Sequence, residues 1–226
     1  HYDLSSTVQG LVKLESAPEL KYSVNDIHYK VDVKRYVDIV KVLGSQFYGM
    51  TQTEISTAID VKTGGTLSKL LENLMESGII RAYPRYGKER VETVYQLIDF
   101  FSLFYLRFIQ GKQAKKGIWN SIHGTPTFYT WAGDTFELLC VEHLPQIQDT
   151  LRIASINRNY CWSGKSPDGK GAQIDLLLES KADRTDYLCE MKFTGGKYAI
   201  TKNDEEDFLN KIEAFAASKM HNKTHS

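Results

Sequence analysis

Apolar residues fall at three- and four-residue intervals from Val33 onward, at Val33, Tyr36, Val37, Val40 and Leu43, and predict a helix over 33–43. Residues 44–49, glycine at both ends, break that pattern. The "TQTE" at 51–54 has capping-box spacing: the Thr51 hydroxyl can accept from the amide three residues on while Glu54 reaches back. A short helix to about Ile59 should follow, with Ile55 and Ile59 facing inward. After a turn at "DVKTGG", the segment "TLSKLLENLMESGII" carries Leu67, Leu70, Leu71, Leu74 and Met75 on one stripe, and Gly78 is placed to end the helix. Alternation in "RAYPRYGKERVETVYQL" then predicts a β-hairpin with Tyr86, Gly87 and Lys88 at its tip.

Three helices, the last two joined by a short turn, and then a basic-tipped hairpin: this is the order of a winged helix-turn-helix, over 31–110. In a DNA-reading module the 66–77 helix would enter a major groove and present Lys69. The hairpin's Arg81, Arg85, Lys88 and Arg90 would touch phosphate. Glu72 and Glu76 on the same helix would repel phosphate, so packing against a neighbouring domain stands as the alternative. Residues 1–30, irregular and mixed in Ser, Ala, Pro and Glu around Pro18, read as a linker or the tail of something upstream.

An aromatic helix over about 98–109 closes this half. The stretch "QGKQAKKGIWNSIHGTPTFYTW" after it is Gly-rich and basic, with no acid between Asp99 and Asp134. We place the domain boundary there, as a linker over 111–130. It is either a solvated connection or a strap tracking phosphate through Lys112, Lys115 and Lys116. The second domain, 131–226, begins with a helix through "TWAGDTFELLCVEHLPQI", whose apolar positions are Trp131, Phe136, Leu139 and Leu144. A strand at "RIASINRNYCWS" leads to a hairpin turn at Asp168-Gly169 and two further strands in "QIDLLLESKADRTDYLCEMKF". A last helix, with Phe208, Ile212 and Phe215 apolar, gives the order α-β-β-β-α. The fold class is α/β in two domains.

Composition narrows this little. The 226 residues are 42% hydrophobic, enough for one large domain or two modest ones with real cores. Lys plus Arg and Asp plus Glu are both 28, so any nucleic-acid surface must be local. Cys140, Cys161 and Cys189 lack the spacing of a zinc site or disulfide framework and fit a reducing, cytoplasmic setting. The longest apolar cluster, "LIDFFSLFYLRFI", is interrupted by Asp99 and Arg107 and falls short of the ~20 residues of a membrane span.

Chemistry enters where acids interrupt the last two strands. Alternation puts Ile174, Leu176 and Leu178 on one face of 173–179, with Gln173, Asp175, Leu177 and Glu179 on the other. On 187–193, Leu188, Glu190 and Lys192 share a face, Glu190 and Lys192 roughly 7 Å apart along the backbone. Asp175 joins them only in an antiparallel register that opposes it to Glu190 or Lys192. Two carboxylates that close repel unless something positive lies between them. Mg²⁺ or Mn²⁺, with hard oxygen ligands, fits that need, and a nearby lysine can manage the water that attacks a phosphodiester. Glu137, on the preceding helix, could supply a third carboxylate. Glu179 at the strand's far end, Lys211 on the last helix and the Cys140–His143 pair are expected to be surface or packing residues, and His123 has no visible partner.

The α-β-β-β-α order with Asp175, Glu190-Met191-Lys192 and an upstream Glu137 resembles the PD-(D/E)xK, or restriction-endonuclease-like, nuclease superfamily. "VYQLIDFFSLFYLRFI" after a winged helix, then "FE" and "IDLLLE…CEMKF", is similar to the C-terminal half of certain prokaryotic AAA-type ATPases, over about 30–220. The resemblance implies a mixed sheet, Asp175, Glu190 and Glu137 as metal ligands, and Lys192 beside the attacking water. It also implies DNA as substrate and an upstream ATPase domain as partner. ATP itself is not expected here. "SGKS" at 163–166 lacks the phosphate-loop pattern, because Asn159 stands where the first glycine is needed. The start at "HYDLSS" and the end at "HNKTHS", before the family's next strand, suggest a fragment. A catalytically inactive DNA-binding or regulatory module of such an ATPase is the alternative.

Overall fold

The computed structural model describes residues 24–87, 92–111, 118–153, 156, 158–182 and 184–224, with side chains described from 33 to 218 of these. The chain is mixed α/β, with helices around two three-stranded antiparallel sheets. The N-terminal half runs α1 (Val24–Gly44), β1 (Met50–Thr51), α2 (Gln52–Ala58), α3 (Gly65–Glu76), β2 (Ile80–Pro84) and β3 (Thr93–Leu97). Helix α1 starts nine residues before the expected 33, inside the expected linker, because nothing in "VNDIHYK" breaks a helix.

Local sequence rules account for most of the rest. Thr51 and Glu54 form the expected capping box on α2. At the end of α3 the Gly78 amide donates to Met75 O (2.9 Å) and the Ile79 amide to Leu74 O (3.0 Å), a Schellman motif with Gly78 at φ 69°. Ile39, Leu43, Ile55, Leu67, Leu70, Leu71, Leu74, Ile80 and Leu97 close one core. The short β1 pairs with β3, giving the order β1-β3-β2. Gly49 makes this pairing possible: its φ is 79°, and a Cβ there would lie 2.3 Å from the Tyr95 carbonyl oxygen. That tight turn also fixes the position of Tyr48, one residue upstream.

The N-terminal half closes with α4 (Phe100–Phe104) and a π-helical turn (Tyr105–Ile109), and the rest of the chain comprises α5 (Ile118–Ile122), α6 (Pro126–Glu142), α7 (Leu144–Leu151), β4 (Arg158–Lys165), β5 (Gly171–Ser180), β6 (Thr185–Cys189) and α8 (Lys202–Thr224). Two expectations need correction here. The expected linker over 111–130 contains α5 and the start of α6. Trp119 packs against His123 (5.4 Å) and edge-on against Phe128 (5.6 Å), and Phe104 and Phe108 meet Trp131 edge-on, so aromatic packing holds 118–130 in place. The expected single helix through Leu144 divides at His143, because Pro145 has no amide to continue the ladder. On α6 the buried positions are Phe128, Ala132, Thr135 and Leu138, whereas Leu139 is exposed.

Strand β5 is central in the order β4-β5-β6 and buried on both faces. The expected alternation along it fails. Ile174 packs with Leu177, and Leu176 with Leu178, in two different clusters. A β-bulge causes this: Tyr160 pairs with Leu177 and Trp162 with Ile174, so Asp175 and Leu176 together oppose Cys161. Among the described residues β6 has no parallel neighbour, and the sheet is antiparallel rather than mixed. No described helix is long and apolar enough to cross a membrane.

The two halves dock through aromatics. Tyr86, at the hairpin tip, meets Tyr160 edge-on (5.2 Å) and Phe215 (5.3 Å) within the second core. Within the N-terminal half, the Tyr83 hydroxyl donates to the Tyr48 carbonyl oxygen and steadies the hairpin that carries Tyr86. Removing the wedge by Tyr86→Ala should cost about 2 kcal/mol, read as a lower urea midpoint.

Candidate metal-binding and catalytic site

Strands β5 and β6 pair Leu176 with Cys189, so the next rung opposes Asp175 to Glu190. This is one of the two registers that the strand pattern required. The bulge turns Asp175 inward until it is only 8% exposed, and the Met191 amide donates to its Oδ2 (3.0 Å). Burial pushes the Asp175 carboxyl above its ordinary range. The Met191 amide pulls it back, the Glu190 charge adds to the rise, and Lys211 and Lys192 oppose it.

Glu190 lies just past β6 with both carboxylate oxygens engaged. Lys192 Nζ donates to Oε1 (2.7 Å) and Lys211 Nζ to Oε2 (2.6 Å). The bond to Glu190 holds the Lys192 ammonium above its usual range. Lys211, expected on the solvated surface of the last helix, is instead 9% exposed and also reaches Asp207 Oδ2 (3.4 Å). Its position on the buried stripe of α8, between Phe208 and Ala214–Phe215, was the signal in the sequence that could have found it.

Glu137, on α6, joins this group electrostatically. Burial first, and then the negative charges of Asp175, Asp134 and Glu190, push its carboxyl from 4.5 up to about 8. A hydrogen bond from Tyr48 opposes the rise. Tyr48 comes from the other half of the chain and went unnoticed in the sequence. Burial, then Glu137 and Asp175, hold its phenol protonated, while a bond with Gln173 works against them. The site therefore draws on both halves.

The other candidates lie elsewhere. Lys69 pairs with Glu72 (2.8 Å) on the exposed face of α3, and Arg85 with Glu92 (2.9 Å) beside a polar groove of about 420 Å³. Lys88, Arg90, Lys112, Lys115 and Lys116 lie outside the described residues. Arg81 bonds Gln96 (2.8 Å) and lies over the Tyr83 ring. Glu179 sits near the Tyr160 hydroxyl at the far end of β5. The three cysteines are free thiols, and His143 caps a helix end. His123, expected to have no partner, stacks on Trp119 and Phe128. Among the described residues no three His, Cys, Asp or Glu side chains are gathered tightly enough to enclose a metal, Glu190 being turned onto its lysines.

Glu137 makes stability depend on pH with a defined sign. Between its ordinary 4.5 and about 8 the folded chain keeps a proton that the unfolded chain has lost. Folding stability should fall as pH rises through that window. Glu137→Gln should show little change in urea midpoint at pH 5 and a clear gain over the wild type at pH 8.5. No family model, curated protein or solved structure matches the chain, and its chemistry is read from these side chains.

Proposed function

We propose that the chain is a winged-helix and restriction-endonuclease-like segment of a prokaryotic AAA-type ATPase, and that its C-terminal half hydrolyses DNA phosphodiesters with Mg²⁺ or Mn²⁺. The observation that supports this reading is Asp175 set opposite Glu190 beside Lys192 on the bulged strand and its neighbour, with Glu137 near enough for their charges to raise its carboxyl. A carboxyl driven up to about 8 by burial and by other carboxylates marks a site short of positive charge. Its donors are hard oxygens, which suit a small divalent cation.

Asp175, Glu190 and Glu137 are the residues that would hold the cation, and the cation would supply the positive charge that stabilises an attacked phosphate. Asp175 is already aimed by the Met191 amide and needs no rearrangement of the backbone. Lys192, kept protonated by Glu190, fixes the attacking water and a non-bridging phosphate oxygen through its N–H donors. The Glu137 carboxyl, raised by burial and by its acidic neighbours, would give up its proton when a cation supplies the missing positive charge, and so adds a ligand. The three helices and β-hairpin of the N-terminal half act as the DNA-facing module, with Lys69, Arg85, Lys88 and Arg90 and the segment of Lys112, Lys115 and Lys116 on phosphate.

Two observations favour the second reading, a catalytically inactive DNA-binding or regulatory module. Both oxygens of Glu190 are engaged by lysines, and the hairpin tip is wedged into the other half through Tyr86. Calorimetry separates the two. The wild type should bind Mn²⁺, and Asp175→Asn/Glu190→Gln should lose at least tenfold in affinity and all cleavage of supercoiled plasmid. A folded wild type that neither binds metal nor cuts DNA leaves the second reading standing. Charge reversal at Lys112, Lys115 and Lys116 should weaken DNA binding and reduce its salt slope by roughly one for each phosphate no longer neutralised. Unchanged affinity and slope would remove that segment from the DNA interface.

A further inference from the structure

Helix α8 buries the wrong residue by the usual rule. Leu209 is 52% exposed and Ile212 40%, yet Lys211 between them is 9% exposed. The helix is rotated so that a cation, rather than either neighbouring aliphatic side chain, points at the sheet. Its ammonium lies 2.6 Å from Glu190 Oε2, and of the two lysines it acts more strongly on the Asp175 carboxyl. Lys192 differs: its side chain is 44% exposed, against 11% for Lys211. An exposed pair is readily exchanged with water, whereas a buried ammonium is costly unless it stays paired.

We propose that Lys211 is an exchangeable internal counter-ion occupying the place of the divalent cation at Asp175 and Glu190. This rests on the metal-site reading above. Positive charge held against these carboxylates is what a metal would provide, and in the free chain Lys211 provides it from α8, bonded to Glu190 and acting through its charge on Asp175. Glu190 has no oxygen that is not already hydrogen-bonded to a lysine. A divalent cation drawn to Glu190 would meet an ammonium already 2.6 Å from Oε2, and the repulsion of like charges favours exchange of one cation for the other. Asp207, 3.4 Å from Lys211 Nζ and one helical turn away, keeps the displaced ammonium paired. The arrangement keeps the carboxylates assembled without metal and makes metal affinity depend on a residue that is no metal ligand.

The test is Mn²⁺ and Mg²⁺ binding by calorimetry to wild type, Lys211→Met, Lys211→Arg and Lys192→Met, each checked for folding by thermal melting. Methionine keeps the apolar stem and removes the charge. Lys211→Met should bind Mn²⁺ about tenfold more tightly, Lys192→Met should gain less, and Lys211→Arg should stay near the wild type. Wild-type side-chain ammonium NMR supplies a readout independent of any variant's folding: saturating Mg²⁺ should shift the Lys211 signal. Metal bound by the wild type with no gain in Lys211→Met and no shift of the signal overturns the counter-ion while leaving the metal site intact. A folded set in which nothing binds metal overturns both.

Discussion

A carboxylate withdrawn from water must be met by donors or cations, and the packing around Asp175 follows from that requirement. In the low dielectric between sheet and helix, a second and third carboxylate raise the electrostatic cost of ionisation steeply. The chain answers with one backbone amide from Met191 and one buried ammonium from Lys211. The amide ties the end of β6 to β5, and the ammonium sets the rotation of α8 against the sheet. The bulge that turns Asp175 inward also divides the apolar residues of β5, with Ile174 and Leu177 packed on one side and Leu176 and Leu178 on the other.

Legibility in the sequence followed the range of the interaction. Short-range devices were readable: Thr51 and Glu54 needed only each other, Gly78 only its own helix, and Asp168-Gly169 only a turn. The meeting of Asp175 with Glu190 was readable as one of two registers, since alternation restricts which residues can face one another. The bulge was not, because a single extra residue on β5 depends on how β4 presents Cys161. It divided Ile174 from Leu176, which strict alternation had put together. Lys211 was misplaced because lysine is nearly always solvated, and that prior outweighed the helical stripe on which it sits. Tyr48 left no signal at all, for it meets Glu137 across about ninety residues of chain and through the docking of two halves.

That docking also changes what a basic hairpin can mean. Arg81 and Arg85, which look like phosphate ligands when charges alone are counted, have partners at Gln96 and Glu92. The tip of the hairpin carries Tyr86 into a core. A charge pattern on a strand states what a surface offers, and the neighbouring aromatic decides which surface stays open. The same holds for 118–128, where Trp119 and Phe128 pack edge to face although composition alone assigns them to a linker.

Rings and a phenol hydroxyl join the halves: Tyr86 against Tyr160 and Phe215, with the Tyr48 hydroxyl on Glu137. Apolar and neutral polar contacts are screened little by dissolved salt, whereas phosphate contacts weaken steeply with it. Ionic strength thus becomes a selective handle on this molecule, able to loosen any bound polyanion while the two halves remain clasped.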